Sequence, residues 1–413
     1  MRSVRVESVW KNFSTRVNSQ LPFLSPRDVS TVLHSFARIK FRDDKLLESM
    51  LPSVLKHLDT FSVRELMDIL SAFRKLEFTK LDCIDLLLNQ LVLKAPEWNA
   101  VDVSLLANSL SWFRIFDENV WKKIEKFVLK NSRDFSPLGI SLVVAALAKL
   151  DMRNERILAC VAGLLIDGSF GGVMKQESFA LLIHGFYKLS WDRNIELNLF
   201  VENQLNELLD SEYFDLQSLS MVMHALFCYR LVNEPTLSDI QTRILTKGFE
   251  SVQKNLQEKS LSFDQEKRFD EICFISQRWS GVDKQCRAIM RTLRTRFKER
   301  NTGHKLPRWE YEVYRILRDK MGVSVGKKHR NGKTNIVIKS AATNEDVPVL
   351  CLGPFQYYAN STKRTASSLL ARELAGGSTV LEIPYFVWNE LKTDQDKIAY
   401  LFSQGRRALS PSS

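Results

Sequence analysis

Residues 29–39 read VSTVLHSFARI, residues 66–76 read LMDILSAFRKL and residues 179–189 read FALLIHGFYKL. Each stretch has a phenylalanine at its eighth position, with apolar residues seven, four and three positions before it and three positions after it. On a helix that turns about 100° per residue, these positions share one sector about 120° wide. The pattern predicts an amphipathic helix that recurs along the chain.

Six segments share this pattern, and their index residues are separated by 37, 40, 34, 39 and 40 positions: Phe36, Phe73, Phe113, Leu147, Phe186 and Leu226. A second helical segment follows the first one, at residues 45–58, and comparable segments lie at 81–94 and 193–209. Ser25 before Pro26 is typical of a helix start. A two-helix unit of about 38 residues cannot bury its own apolar face and must stack on its neighbours. We therefore predict a mainly α fold whose first part is an α-solenoid.

Two positions after the index residue, most repeats carry a basic side chain that points away from the apolar stripe. Stacking would align these side chains in a ladder along one face of the array. One interpretation is a track for RNA phosphates, and the other is an ordinary solvated face; the sequence does not decide between them. The ladder consists of Arg38, Lys75, Lys149 and Lys188, with Arg114 one residue out of register.

The formal net charge of +11 is concentrated in one segment. Residues 284–334 hold sixteen Lys or Arg against four acids, a local net of +12, so the rest of the chain is nearly neutral. Four of these cations share one helical face, where like charges repel each other unless an anion compensates. An RNA backbone is the anion that we predict, and an acidic protein partner or a solvated face is the alternative. The four residues are Arg287, Arg291, Arg294 and Lys298.

The C-terminal part of the chain carries two motifs. From Leu350 it reads LCLGPFQYY, and from Val380 it reads VLEIPYFVWNEL. A strand that enters Gly-Pro, a basic helix and a second strand that enters Ile-Pro-Tyr together resemble the RAP domain, a compact RNA-binding module. The resemblance covers residues 309–401 and implies a small α/β fold similar to nucleases of the PD-(D/E)xK type. Helical repeats of this period accompany RAP domains in organellar RNA-binding proteins of the FAST kinase-like and octo- and heptatricopeptide classes.

In that nuclease fold, carboxylates at strand ends hold the metal ions that activate water. The family's acidic positions correspond here to Asn335, Leu350 and Leu352. The resemblance therefore implies a binding domain with no catalytic metal and no other cofactor. The alternative is an endonuclease with an unrecognised metal site that recruits Glu382 and Glu390.

Unpaired RNA is typically held by aromatic rings that stack on bases and by cations that attract phosphates. We predict such contacts from a basic loop between Gly326 and Lys333 and from the residues that follow the Gly-Pro motif. The predicted set is Lys327, Lys328, Arg330, Lys333, Tyr357, Tyr358, Lys363 and Arg364. We assign a different set of aromatic residues mainly to packing: Phe355, Tyr385, Phe386 and Trp388.

The predicted organisation is an N-terminal helix or weak targeting segment over residues 1–24, the repeat array over 25–250, a helical basic belt over 251–308, the RAP-like domain over 309–402 and a tail over 403–413. Six widely spaced cysteines and six histidines show no metal-binding spacing. No apolar run reaches the length of a membrane span, so we expect no membrane partner.

The expected function is noncatalytic binding of single-stranded or ribosomal RNA. The resemblance implies work on mitochondrial, or else plastid, transcripts in stabilisation, processing or translation, with membership of a mitochondrial ribosome or its assembly intermediates as one version. Its expected protein partners are ribosomal or other organellar RNA-binding proteins. A protein-interaction scaffold, in which the array binds a peptide, is the third hypothesis.

Overall fold

The computed structural model describes residues 7–170, 174–191, 195–210, 215–230, 238–258, 261–276, 279, 282, 284–298, 308–326, 336–339, 346–375 and 380–409. Its internal contacts divide the chain into two units. The first unit comprises Met1–Leu150 with Asn154–Met174, and the second comprises Asp151–Arg153 with Lys175–Ser413.

The first unit is a stack of helical hairpins. Its helices are α1 (Glu7–Gln20), α2 (Pro26–Ile39), α3 (Asp44–Lys56), α4 (Val63–Lys75), α5 (Leu81–Leu93), α6 (Ala100–Phe113), α7 (Glu118–Asn131), α8 (Pro137–Lys149) and α9 (Glu155–Ile166). The index helices pack in succession, α2 on α4, α4 on α6 and α6 on α8. In the intervening layer α1 packs on α3, α5 on α7 and α7 on α9. This arrangement confirms the predicted solenoid of two-helix repeats.

Helix caps set where the index helices begin. The Ser25 hydroxyl accepts a hydrogen bond from the Asp28 N–H, and the Asp28 carboxylate accepts one from the Ser25 N–H. Ser62 and Glu65 form the same reciprocal box at the start of α4. Each such cap stabilises its helix by about 1 kcal/mol, because it satisfies backbone donors that have no partner inside the helix.

The ends of the index helices are equally regular. Among the described residues, a non-glycine residue with positive φ follows five of the index helices. At four of these ends, the N–H of the next residue donates a hydrogen bond to the carbonyl five residues before it, as Phe41 does to Phe36. This is the Schellman arrangement, which requires a left-handed residue just after the helix. The left-handed residues are Lys40, Glu77, Arg114, Asp151 and Ser190, with φ of 57, 55, 59, 52 and 55°.

The third repeat was misaligned in the sequence interpretation. The carbonyl that accepts the five-residue bond there, from Ile115, belongs to Leu110 rather than to Phe113. Leu110 is 1% exposed, whereas Phe113 is only half-buried. The sequence pattern favours Phe113 because it is the larger apolar residue, but the smaller Leu110 is the one that is buried. With Leu110 as index, the first three spacings all become 37 residues.

The second unit continues with α10 (Gln176–Lys188), α11 (Ile195–Asp210), α12 (Leu216–His224), a π-helical turn (Ala225–Arg230), α13 (Asp239–Glu258), α14 (Phe263–Ile275) and α15 (Lys284–Lys298). Helices α10, α12 and α14 pack in succession, and α13 packs on α11 and on α15. The hairpin arrangement therefore extends through the basic helix α15, and α13 runs across residue 250, where the sequence placed a boundary.

A small α/β domain ends the second unit. Its elements are α16 (Arg308–Arg315), a π-helical turn (Ile316–Lys320), β1 (Val325–Gly326), β2 (Ile336–Lys339), β3 (Asp346–Leu352), α17 (Ala366–Ala375), β4 (Leu381–Pro384), α18 (Tyr385–Glu390) and α19 (Asp394–Leu409). The described strands lie in the order β1-β2-β3-β4, with β1, β2 and β3 antiparallel and β3 parallel to β4. Helix α17 makes the connection between the two parallel strands.

The core of this domain lies between the sheet and the flanking helices. Val313 and Ile316 pack there with strand residues Val349 and Ile383, and Trp388 is 1% exposed, as its predicted packing role requires. The strand into Gly-Pro, the helix and the strand into Ile-Pro thus follow the predicted order. Among the residues described, no helix combines the length and apolarity that a membrane crossing needs.

Candidate nucleic-acid interface

Helix α15 is amphipathic as predicted. Cys286, Ile289, Met290 and Leu293 are buried, and the opposite face exposes Lys284 and Arg291. Arg294 and Lys298 belong to the same helix, but their side chains lie outside the described part of the structure. These exposed cations lie on one face of the helix, where they can contact a phosphate backbone.

Arg287 has a structural role instead of the predicted RNA contact. Its Nη2 donates to the Trp279 carbonyl at 2.9 Å, and its Nε donates to the Val282 carbonyl at 3.1 Å. The side chain is half-buried. The guanidinium therefore satisfies two backbone acceptors that precede the helix, and the periodicity of the sequence gave no sign of this.

In the first unit, Arg38, Lys75 and Lys149 are exposed in the last turns of their helices. Burial, followed by the neighbouring Arg74 guanidinium, lowers the pKa of Lys75. A cation in this position also interacts favourably with the helix dipole, typically by about 0.3–1 kcal/mol. Both the phosphate track and this simpler role fit the geometry.

Two predicted ladder residues are committed to other contacts. Arg114 occupies the left-handed cap position, and its guanidinium donates to the Lys149 carbonyl. In the second unit, the Lys188 ammonium lies 3.1 Å from the Asp151 carboxylate, and its side chain is only 17% exposed. Lys188 is therefore less exposed than the ladder prediction requires, and Arg114, which the sequence already places out of register, contacts a backbone carbonyl.

The predicted base-stacking tyrosines are both buried. Tyr357 is 9% exposed and packs edge-on against Phe386, and Tyr358 is 3% exposed. The Tyr358 hydroxyl lies 3.0 Å from Ser190 Oγ. Burial raises the pKa of Tyr358, although its hydrogen bond to Ser190 opposes that shift. These two rings stabilise the fold, so their assignment to RNA bases is corrected to packing.

Arg364 is also corrected, because it is held inside the domain, while Lys363 beside it is exposed. Arg364 Nη1 donates to Glu382 Oε1 at 2.5 Å, and its other nitrogens bond Ser368. Arg372 Nε lies 3.7 Å from the same carboxylate. Glu382, which the endonuclease alternative recruits to a metal site, is thus paired with two guanidinium groups.

The remaining predicted positions divide between buried and undescribed residues. Leu350 and Leu352, which the resemblance places at the family's acidic positions, are buried in β3. Asn335 and the basic-loop residues Lys327, Lys328, Arg330 and Lys333 lie outside the described residues. Among the residues that are described, no group of three His, Cys, Asp or Glu side chains has the geometry to hold a metal ion.

Phe355 is the residue that the sequence interpretation missed. It was assigned to packing, but it is 90% exposed. Pro354–Gln356 form a 3-10 turn after Gly353, closed by a hydrogen bond from the Tyr357 N–H to the Pro354 carbonyl. The turn directs Phe355 outward and Tyr357 inward. The signal available in the sequence was the proline that starts this tight turn.

Comparison with known proteins yields two family matches. Residues 349–404 match the model of the RAP domain. Residues 2–167 match the model described as RNA-editing substrate-binding complex 6 protein. No curated protein matches the chain significantly. The chain is therefore similar at its C-terminal end to the RAP domain and over its first helical repeats to the second family.

Proposed function

We propose that this chain, which carries a RAP domain, is a noncatalytic RNA-binding subunit that acts in mitochondrial RNA editing or processing. The observation that carries the proposal is the combination on one chain of the RAP match with the N-terminal match. By its name, the second family belongs to a complex that binds the substrates of RNA editing. A role in such a complex also suits a chain with helical repeats, because stacked repeats typically create extended binding surfaces.

The noncatalytic part of the proposal is supported by the surroundings of Glu382. Its carboxylate receives a hydrogen bond from Arg364 at 2.5 Å and faces Arg372. The neighbouring strand offers the apolar Leu350 and Leu352 where a metal site would need oxygen ligands. A carboxylate that two guanidinium groups neutralise has a structural role in joining α17 to the sheet.

Ultraviolet crosslinking of the native protein, followed by sequencing of the attached RNA, tests the RNA partner. Recovery of mitochondrial pre-edited or partly processed transcripts is the expected result. Recovery of a single ribosomal RNA fragment would instead favour the ribosomal version of the function, and plastid transcripts would overturn the proposed compartment. Crosslinks to protein without RNA would favour a scaffold.

Incubation of the purified protein with labelled RNA and Mg²⁺ or Mn²⁺ tests the absence of catalysis. Intact RNA is expected, with the same result for Glu382→Gln. Metal-dependent cleavage by the wild-type protein that Glu382→Gln abolishes would contradict the proposal and support the endonuclease alternative.

A further inference from the structure

A surface cleft of about 530 Å³ lies along α16 of the C-terminal domain. We call it the α16 cleft, and it is lined by Arg308, Trp309, Tyr311, Glu312 and Arg315. Its volume falls within the range of about 300–1,000 Å³ that is typical of small-ligand sites. A single nucleotide is a ligand of this size class.

Aromatic surface is concentrated at this cleft. Tyr311 is 50% exposed and stacks on Tyr314, with ring centroids 6.1 Å apart and an interplanar angle of 24°. Trp309 is half-buried against the domain core. A Cβ atom on Gly353 would lie 3.9 Å from Trp309 Nε1, so the turn that presents the 90% exposed Phe355 begins beside the cleft. Aromatic faces left in water at one place are typical of a binding surface.

The charges of the cleft favour an anion. Arg308 is exposed, and Arg315 Nη2 lies 3.7 Å from Asp394 Oδ1, with both side chains more than 40% exposed. An ion pair of that length in water contributes little, so Arg315 can turn toward a phosphate at small cost.

The acid in the cleft lining is already compensated. Glu312 accepts hydrogen bonds from Lys397 Nζ at 2.7 Å and from Trp388 Nε1 at 3.2 Å. Burial acts to raise the pKa of Glu312, but these hydrogen bonds and the charge of Lys397 outweigh it and lower the pKa. The carboxylate therefore stays ionised beside a cation, and the other two charged residues of the cleft lining, Arg308 and Arg315, are both arginines.

We propose that the α16 cleft, together with Phe355, binds one unpaired nucleotide of single-stranded RNA. The base stacks on Tyr311 or Phe355, and the adjoining phosphate lies against Arg308 and Arg315. Stacking on aromatic rings combined with arginine contacts to phosphate is how proteins hold unpaired nucleotides. This site rests on the proposed RNA-binding function and deepens it, because it locates one nucleotide on the domain.

The test uses the full-length protein and an oligouridylate of about 12 nucleotides, a length within reach of a single-strand site. One position of the oligonucleotide carries 2-aminopurine, whose fluorescence is quenched when it stacks, and that position is moved along the strand. The variants are Tyr311→Ala and Phe355→Ala, both at exposed positions. Phe402→Ala is the matched control, since Phe402 is a 56% exposed phenylalanine of the same domain. Tyr311→Phe keeps the ring and should behave as the wild type.

Loss of one stacking contact should weaken binding by about 5- to 150-fold. The same variant should lose the 2-aminopurine quenching at one oligonucleotide position. Phe402→Ala should leave both the affinity and the quenching unchanged. Wild-type affinity in Tyr311→Ala and in Phe355→Ala would overturn the cleft site and leave the proposed function intact. Failure of the wild-type protein to bind any RNA would overturn both. An equal loss in Phe402→Ala would show that no local site exists.

Discussion

The side-chain amide of Asn360 and the backbone of Arg153 form a reciprocal pair in the second unit. Asn360 Oδ1 accepts from the Arg153 N–H at 3.1 Å, and Asn360 Nδ2 donates to the Arg153 carbonyl at 2.9 Å. The Ala359 N–H donates to the Asp151 carbonyl at 2.9 Å. In the first unit, the carbonyl of Glu77 at the equivalent cap position accepts from the Arg42 guanidinium. Residues 358–360 therefore contact the backbone after an index helix, at the position where an arginine side chain binds elsewhere in the array.

Removal of the Asn360 side-chain amide should weaken the contact between residues 358–360 and residues 151–153. Asn360→Ala eliminates two hydrogen bonds, and we expect it to lower the free energy of unfolding by about 1–3 kcal/mol. Hydrogen exchange at the Ala359 N–H should accelerate, because that amide loses its neighbouring anchor. Thr362→Ala, at an exposed position of the same loop, is the control. Unchanged stability together with unchanged Ala359 exchange would contradict the assigned role.

The ion pair between Arg364 and Glu382 should be needed for stability rather than for RNA binding. Their side chains are 17% and 24% exposed, so Arg364→Ala leaves a largely buried carboxylate without its main partner. We expect a loss of roughly 1–3 kcal/mol in urea unfolding, and partial recovery in the double variant with Glu382→Gln. Lys363→Ala, at the exposed neighbouring position, should leave stability unchanged. If Arg364→Ala and Lys363→Ala lost equal stability, the ion pair would have no special role.

Close packing of α13 on α12 forbids a side chain at Gly248. A Cβ there would lie 2.1 Å from the Met223 sulfur, and Met223 is fully buried. Gly248→Ala should therefore cost about 1–3 kcal/mol, because the methionine must move within a packed core. At Gly163, inside α9, a Cβ meets nothing within 4 Å. Gly163→Ala should instead stabilise by about 0.5–1 kcal/mol, and thermal unfolding that ranks the two variants otherwise would contradict this packing.

A buried histidine pair should make stability depend on pH. The rings of His184 and His224 stack 5.7 Å apart, and His224 Nε2 lies 2.8 Å from Glu271 Oε2. Tyr229 packs edge-on against both rings, and Arg268 on α14 bonds Ser220 nearby. Burial lowers the pKa of each histidine, and in His224 it outweighs the opposing effect of Glu271.

The sign of the effect follows from these lowered pKa values. As pH falls through about 6.5, His184 and His224 become protonated in the unfolded protein but stay neutral in the folded protein. The free energy of unfolding therefore decreases. Each proton contributes at most about 1.4 kcal/mol per pH unit. His184→Phe should flatten the curve of unfolding free energy between pH 7.5 and 5.5 (roughly one unit on either side of the histidine value), whereas His57→Phe, outside the cluster, should not. An identical slope in His184→Phe and the wild type would contradict the assignment.

Exposed cations on α15 and at the helix ends of the first unit should contribute to the salt dependence of RNA binding. For single strands, the logarithm of affinity falls with the logarithm of salt by about 0.7 per phosphate neutralised, so about six contacts would give a slope near −4. Arg291→Ala and Lys149→Ala should each reduce the slope by about 0.7. Lys122, which pairs with Glu118 on α7, provides the control. A slope that neither variant changes would remove these residues from the interface.

Helical periodicity predicted the array well, because burial of one apolar stripe is a property of local sequence. The prediction of the index residue failed at the third repeat, because Phe113 is larger than Leu110 and was chosen in its place. Cap geometry distinguishes the two, since the left-handed Arg114 follows Leu110 at the same distance as Lys40 follows Phe36. Composition alone does not carry that information, because Lys, Glu, Arg, Asp and Ser all occupy this position.

The site was harder to predict than the fold, because it depends on which neighbours tertiary contacts bring together. Lys188 and Arg364 are basic residues, which the sequence predicts to be exposed. Each instead forms an ion pair with a carboxylate from another segment of the chain. Among the aromatic residues after Gly353, the 3-10 turn alone decides which ring faces water. A Tyr-Tyr pair and a phenylalanine are equally plausible in sequence, and only the backbone path exposes Phe355.

The central claim is that this RAP-domain chain holds unpaired RNA on its exposed cationic and aromatic surfaces. Photocrosslinking of the full-length protein to RNA, followed by mapping of the crosslinked peptides, tests it most directly. We predict crosslinks at Tyr311, at Phe355 and at residues of α15, and none at the buried Tyr358. Crosslinks at Tyr358 with none at Tyr311, Phe355 or α15, or an absence of crosslinked RNA, would contradict the account.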